Sequence, residues 1–510
     1  MSRSPSSVTL ERLELPLFGA LAAAASALAC LLAYEVSIAL PLALGGAVVV
    51  AALALVRPLW ALAAGIGLLP LELASLKLGA VGLSASEATF ALTAVMWVVG
   101  RLARGEVPAS TSPLGKPLTA MVAAIVPGLA IAQSSFPVAK VLVMWVVFLV
   151  IYEIVVTEAR DDSVRGLLLV LAVAGAVVGA IAAVTSGGVE QAATGFGDEV
   201  SGRAFGSFGS PNTLATFEAL ALPGALALGL GGRAAVRPVA LGAFALTLAG
   251  LALSLSRGGL LAVAGALALM LVWGPFRLVV AAATVVVAIL AFAGANPLGE
   301  VQQVDTVTQR LSSVGYSAGG VDPRFNIWRT TPQIIADHPV FGVGANEFPL
   351  VGPEYGLTGR MEPYEHAHNI PLTVAAETGL LGLAAFTWAA IVLVGVLIRA
   401  YRRTDGVDRG VAVALAAAFS ALVLQGIVDY TLRSNAIVAI VFVLAGCAVV
   451  TARGGGPPPR RVARHDELQP AGRAARPEPS ASARESNDSV PPSITGAARP
   501  GTTGAWPQPS

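Results

Sequence analysis

In this chain of 510 residues, chemistry gathers in a polar stretch from about Asn296 to His368 that ends in His366-Ala367-His368-Asn369. Three of the 4 histidines, His338, His366 and His368, lie on it. An imidazole titrates near pH 6.5 and can take a proton from a hydroxyl at neutral pH, and neighbouring arginines favour the neutral ring that this requires. The His-x-His pair, with Glu362 and Glu365 upstream, would also suit a metal, although such a pair alone is a weak ligand signature. His338, within Asp337-His338-Pro339, reads as a turn residue.

Arginines are the second chemical group. Arg203, Arg257, Arg310, Arg324, Arg329, Arg360 and Arg433 fall on the side of the chain that carries the polar stretch. Arg257 stands out, because it lies in Ser254-Leu-Ser-Arg-Gly-Gly259 between two apolar runs, where Gly258 and Gly259 would let a ligand approach the backbone. A guanidinium grips phosphate with two parallel hydrogen bonds and stays charged at every relevant pH. Each charge-assisted bond is worth about 1.5–3 kcal/mol net, so two arginines would hold a diphosphate leaving group. The bland alternative is an arginine reaching lipid headgroups.

The elements that position these residues are membrane helices. Hydrophobic residues make up 55% of the chain and charged ones 12%, and mean hydropathy is +0.75. Apolar runs of about 20 residues recur without the alternation of a barrel strand, which leaves helices as the spanning element. Breaks at charge and proline predict an all-α polytopic fold of about 12–14 transmembrane helices. The runs are Leu15 to Tyr34, Val36 to Val56, Leu59 to Leu76, Ala85 to Gly100, Leu118 to Gln133, Val138 to Val156 and Val164 to Thr185. They continue with Asn212 to Leu230, Ala240 to Ser256, Gly258 to Trp273, Phe276 to Ala295, Asn369 to Ile398, Gly410 to Asp429 and Asn435 to Thr451.

The expected organisation is helices through residue 295, one large loop over 296–368, further helices over 369–452, and a tail rich in Pro, Arg and Ser over 453–510 that should be disordered. Arg57, Arg101, Arg104, Lys116, Arg160, Arg165, Arg233, Arg237, Arg277, Arg399, Arg402, Arg403 and Arg409 fall in alternate loops. The positive-inside rule then puts both termini in the cytoplasm and the polar stretch outside a cytoplasmic membrane. Cys30 and Cys447 lie in separate apolar runs and form no disulfide framework.

Within the loop, Arg324 to Ile335 has helix-compatible apolar spacing that Pro332 should break. Trp328 either lies at headgroup level or packs onto the helices. Phe341-Gly-Val-Gly-Ala-Asn-Glu-Phe348 reads as a glycine turn. Glu218 and Glu377 are the main candidates for buried charge.

Taken in order, Arg203-Ala-Phe-Gly-Ser-Phe-Gly-Ser-Pro-Asn-Thr-Leu-Ala215, the Ser254 to Gly259 turn, Asp322-Pro-Arg-Phe-Asn-Ile-Trp328, His338-Pro-Val-Phe-Gly-Val-Gly344, and His368-Asn369 followed by Gly379-Leu-Leu-Gly382 resemble the O-antigen ligase family. That superfamily also holds O-antigen polymerases and bacterial oligosaccharyltransferases. Val428-Asp-Tyr-Thr-Leu-Arg433 fits more loosely. The resemblance implies a GT-C-type glycosyltransferase with one large extracytoplasmic loop. It would move a glycan from a polyprenyl diphosphate carrier to a hydroxyl of a glycan, lipid or protein acceptor at the outer membrane face. By motif match, His368 takes the place of the catalytic histidine and Arg257 and Arg324 those of the diphosphate-binding arginines. Arg203, Asn212, His366 and Asn369 are supporting residues. No cofactor, metal or nucleic acid is implied. A polymerase of the same superfamily is the nearest alternative reading, and a lipid-linked oligosaccharide flippase a more distant one.

Overall fold

The computed structural model describes residues 39–72, 75–78, 81–106, 112–185, 203–293, 316–317, 320–321, 323–358 and 364–454. All of them belong to the first of two units, Met1–Pro458; the second, Pro459–Ser510, lies outside the described residues. So do the first expected span, Cys30, Arg310, Arg360, Glu362 and the tail beyond Gly454.

Every expected span after the first has a helix at its place. In chain order these are α1 (Ala39–Val56), α2 (Pro58–Gly67), α3 (Ala85–Ala103), α4 (Gly115–Ala123), α5 (Ser135–Glu158), α6 (Asp161–Thr185), α7 (Pro211–Gly231), α8 (Arg237–Leu253), α9 (Arg257–Met270) and α10 (Arg277–Ala293). Then come α11 (Pro323–Asp337), which belongs to the polar stretch, and α12 (Ile370–Arg403), α13 (Gly406–Gly426) and α14 (Asn435–Thr451). Two small antiparallel hairpins are the strand structure among the described residues: β1 (Ser75–Leu78) with β2 (Val81–Ser84), and β3 (Tyr316–Ser317) with β4 (Gly320–Val321).

Helices α5, α6, α7, α12 and α13 are long and apolar enough to cross a membrane. Helices α8 and α14, with 17 residues each, rise about 26 Å at 1.5 Å per residue, close to the roughly 30 Å hydrocarbon core. Three expected spans differ from their reading. Leu59 to Leu76 is the ten-residue α2 followed by a 3₁₀ turn and the first hairpin, because Gly67 and Pro70 stop the helix. Leu118 to Gln133 is broken between α4 and a short turn at Gly128–Ile131, next to Pro127. Helices α9 and α10 meet at a 115° bend over the buried Trp273.

The longest helix, α12, is broken where it matters most. Gly379 has φ 67° and ψ −172°, so the backbone leaves the helical path there. The carbonyls and amides freed by the break are taken up by the loop 339–344. Val343 N–H donates to the Ala376 carbonyl at 2.9 Å, Gly344 N–H to the Glu377 carbonyl at 2.9 Å, and Leu380 N–H to the Pro339 carbonyl at 2.8 Å. The contact is so close that a Cβ on Gly379 would collide with the Val340 carbonyl, and one on Gly342 with the Glu377 backbone. The two glycine motifs of the sequence, around Gly342 and around Gly379, are the two sides of one seam.

On that seam the polar stretch builds a small core of its own. Ile327 and Ile334 of α11, with Val343, Phe348, Val351, Leu357 and Ala367, pack on Ala376 of α12. Helix α11 runs through Pro332 rather than ending there, since a single proline forfeits only one backbone bond and its neighbours Thr331 and Ile334 are held in this core. At the other end of the bundle, Arg165 pairs with Asp162 and Asp408, Arg409 with Asp405, and Arg403 donates to the Ala452 carbonyl. Many of the basic residues of the alternate loops thus sit together, away from the polar stretch.

Replacing Gly379 with alanine should lower the thermal midpoint of the detergent-purified protein by an amount equivalent to more than about 2 kcal/mol. Gly395→Ala, further along the same helix where a Cβ meets nothing within 4 Å, should leave the midpoint unchanged or raise it slightly. Equal midpoints for the two variants would contradict the seam.

Candidate active site

The sequence His368-Asn369-Ile-Pro371 starts a helix. Asn369 is the N-cap of α12: its side-chain oxygen accepts from the Leu372 N–H at 2.9 Å, and Pro371 follows where a helix tolerates it. The preceding His368 is thereby fixed outside the helix, in a left-handed conformation with φ 49° that non-glycine residues seldom adopt. Trp328 of α11 braces the turn, its indole N–H donating to the Ala367 carbonyl at 2.9 Å. Trp328 therefore packs onto the site rather than lying at a headgroup surface. The Ala367 N–H in turn donates to Thr373 Oγ1 at 3.2 Å.

His368 is 4% exposed and its Nδ1 lies 3.0 Å from Oδ1 of Asp429, itself 5% exposed. Burial alone would raise the Asp429 carboxyl. The hydrogen bond from His368, with the nearby Arg324 guanidinium, outweighs it and holds the carboxyl below its usual range. An ionised carboxylate can only accept, so Nδ1 carries the proton and Nε2 carries the lone pair of the neutral ring. Asp429 also accepts from the Tyr430 N–H at 2.8 Å, which fixes the carboxylate as the carboxylate fixes the histidine.

His366 stacks edge-on against His368 at 4.2 Å and against Tyr430 at 5.5 Å. Burial, helped by the neighbouring His368, pushes its imidazole down to about 3, so the ring is neutral. Its Nδ1 accepts the His368 backbone N–H at 3.1 Å. His366 is thus a support for the backbone turn of His368. Together His366, His368 and Asp429 place three ligand-type atoms within 4.8 Å of one another. A cation there would compete with the hydrogen bonds that His366 Nδ1 and the Asp429 carboxylate already make, so the set suits a hydrogen-bonded chain better than a metal. Glu365, weighed as a ligand from sequence, instead faces Arg433 at 3.7 Å.

A second cluster surrounds the Ser254 to Gly259 turn. Ser256 caps α9, accepting from the Gly259 N–H at 3.3 Å, and donates to Asn212 Oδ1 at 3.0 Å. Arg203 donates to the same Asn212 oxygen at 3.1 Å and to the Ser254 carbonyl at 3.0 Å. Arg203 and Asn212 therefore hold the turn that presents Arg257, the exposed first residue of α9. The expectation that Gly258 and Gly259 make room for a ligand is corrected. A Cβ on Gly259 would come within 2.6 Å of Ala215 Cβ, and one on Gly258 within 2.9 Å of Val428. These glycines serve helix packing.

Residues 425–430 tie the two clusters together. Gln425 donates to the Asn212 carbonyl at 3.1 Å, Ile427 accepts from the Asn369 side chain at 2.9 Å, Val428 abuts Gly258, and Asp429 holds His368. Arg324, half-buried on α11, acts electrostatically on both His366 and Asp429. All seven residues singled out from sequence fall in these two joined clusters. Asp429 was missed: the Val428 to Arg433 stretch carried only a loose resemblance, and the signal was its lone carboxylate at the end of an apolar run.

Asp429→Asn keeps the shape of the pair and removes its charge. Nitrogen NMR of histidine-labelled protein should show His368 as the Nδ1–H form in the parent and a mixture in the variant; an Nε2–H form in the parent would contradict the pairing. The Asp429 carboxyl, held below the usual value of about 4, should contribute its stabilisation in full above that pH and lose it as pH falls through the depressed value.

Residues 242–387 match the Wzy_C family, described as O-antigen ligase. The matched region contains Arg257, Arg324, His366, His368, Asn369 and the Gly342–Gly379 seam, while Arg203, Asn212 and Asp429 lie outside it. No curated protein matches the chain. Over this stretch the chain is similar to the O-antigen ligase family, polytopic membrane proteins whose members are glycosyltransferase-like enzymes.

Proposed function

We propose that the protein transfers a glycan from a polyprenyl diphosphate carrier to an acceptor hydroxyl at the outer face of the cytoplasmic membrane, in surface polysaccharide biosynthesis. The observation that carries this reading is the buried His368–Asp429 pair at 3.0 Å, with Arg324 in electrostatic reach of it and Arg257 on a turn joined to it through residues 425–430. Nε2 of His368 takes the proton of the acceptor hydroxyl as that oxygen attacks the anomeric carbon from the face opposite the diphosphate. The new oxygen–carbon bond forms as the carbon–oxygen bond to the diphosphate breaks, and the carrier leaves with the bonding electron pair. Arg257 and Arg324 neutralise the charge that develops on it. Asp429 stabilises the imidazolium that forms and keeps Nε2 aimed outward from its own side. The arginine-rich opposite end of the bundle supports a cytoplasmic placement for that end.

His368→Ala should reduce transfer at least about 100-fold, the lower end of what a general base supplies, while membrane insertion and thermal midpoint stay close to the parent. Full retained activity would sink the assignment. Arg257→Lys and Arg324→Lys should each lose activity through a weaker grip on the donor, because an ammonium offers no bidentate fork. A raised KM for the acceptor alone would count against that role. Purified lipid-linked repeat units supplied without another acceptor separate the two family chemistries: chain growth marks a polymerase and no growth a ligase.

A further inference from the structure

Beside the His368–Asp429 pair lies a cavity of about 260 Å³, walled by α4, α5, the first part of α12, the start of α14 and the segment after Asp429. Tyr430, whose ring packs on His366, forms part of its wall, so one side chain separates the cavity from the histidine turn. Its lining is mixed in a particular way. Trp145 and Phe386 offer flat apolar surfaces, while Lys140, Arg433, Asn346 and Glu377 offer charge and hydrogen bonds. Hydrocarbon could not satisfy those polar groups, and burying them against a polyprenyl chain would be costly. The volume lies just below the usual range of about 300–1,000 Å³ for small-molecule pockets, which suits one or two sugar rings.

The cations narrow the chemistry. Lys140 is half-buried near the start of α5, and its ammonium makes one long hydrogen bond, 3.4 Å to the Gly82 carbonyl. Among the described residues it has no carboxylate within 4 Å. An ammonium has three donors, so at least one is left for a ligand. Arg433 is already held by the Glu365 carbonyl at 2.9 Å and by the Glu365 carboxylate at 3.7 Å. Glu377, buried on α12, lines the same cavity. From sequence, Lys140 was passed over, although a lysine near the start of an apolar run is itself a signal.

The cavity and Arg257 are contributed by different elements. Arg257 rises from α9 beside Gly258 and Val428, whereas the cavity is bounded by α4, α5 and α12. A direct displacement needs the acceptor and the leaving diphosphate at opposite sides of the anomeric carbon.

We propose that this cavity is the acceptor subsite, seating the terminal sugar of an anionic glycan, with its ring against Trp145 and Phe386 and its phosphate or carboxylate on Lys140. The inference rests on the transferase reading but is tested without transfer. The detergent-purified full chain is titrated with glucose 6-phosphate, methyl glucoside and inorganic phosphate, and binding is read by saturation-transfer NMR. Glucose 6-phosphate should bind the parent saturably. Lys140→Gln should weaken it at least fivefold while leaving methyl glucoside within twofold, Lys140→Arg should restore it, and Trp145→Leu should weaken both sugars. His368→Ala should bind as the parent does while losing transfer, so a failed transferase reading and a failed subsite give different results. Absence of saturable binding to the parent, no effect of Lys140→Gln, or inorganic phosphate binding as tightly as glucose 6-phosphate would each overturn the proposal.

Discussion

The hydrogen bond between His368 and Asp429 is the constraint on which the site depends. It joins the start of α12 to the segment beyond α13, two parts of the chain 61 residues apart, in a place nearly closed to water. A buried carboxylate without a partner would be destabilising, and a histidine at φ 49° would relax to an ordinary conformation. Each group therefore removes the cost of the other. What remains is an imidazole of fixed tautomer and fixed direction.

Two further devices keep that pair in register. The break at Gly379, sealed by the 339–344 loop, sets the direction of the first part of α12 and with it the position of Asn369. Trp328 of α11 then closes over the Ala367 carbonyl and brings Arg324 within electrostatic reach of His366 and Asp429. On the opposite side, Arg203, Asn212 and Ser256 hold the turn that carries Arg257. The loop thus does not work as a self-contained catalytic module; it folds back on helix ends that supply the remaining groups.

Much of this was legible in the sequence, for identifiable reasons. Long apolar runs bounded by charge gave the helices, since a membrane span is a local property of about 20 residues. His368, Asn369 and Arg324 were visible because they stand in ordered motifs that resemble those of the O-antigen ligase family. What sequence could not supply was pairing across distance. Nothing local tells that Asp429 meets His368, that Gly342 and Gly379 are one seam, or that Gly258 and Gly259 pack against Val428 and Ala215 rather than a ligand. Pro332 misled for the same reason: its cost is local, while the core that outweighs it is tertiary.

The proposed transfer is one direct displacement at the anomeric carbon, with His368 taking the acceptor proton and arginines receiving the diphosphate. The configuration of the newly formed glycosidic linkage tests this most directly. NMR of the product made by the purified chain from a donor of known anomeric configuration should show inversion. Retention would demand a second displacement through a covalent intermediate and would contradict the role given to the His368–Asp429 pair.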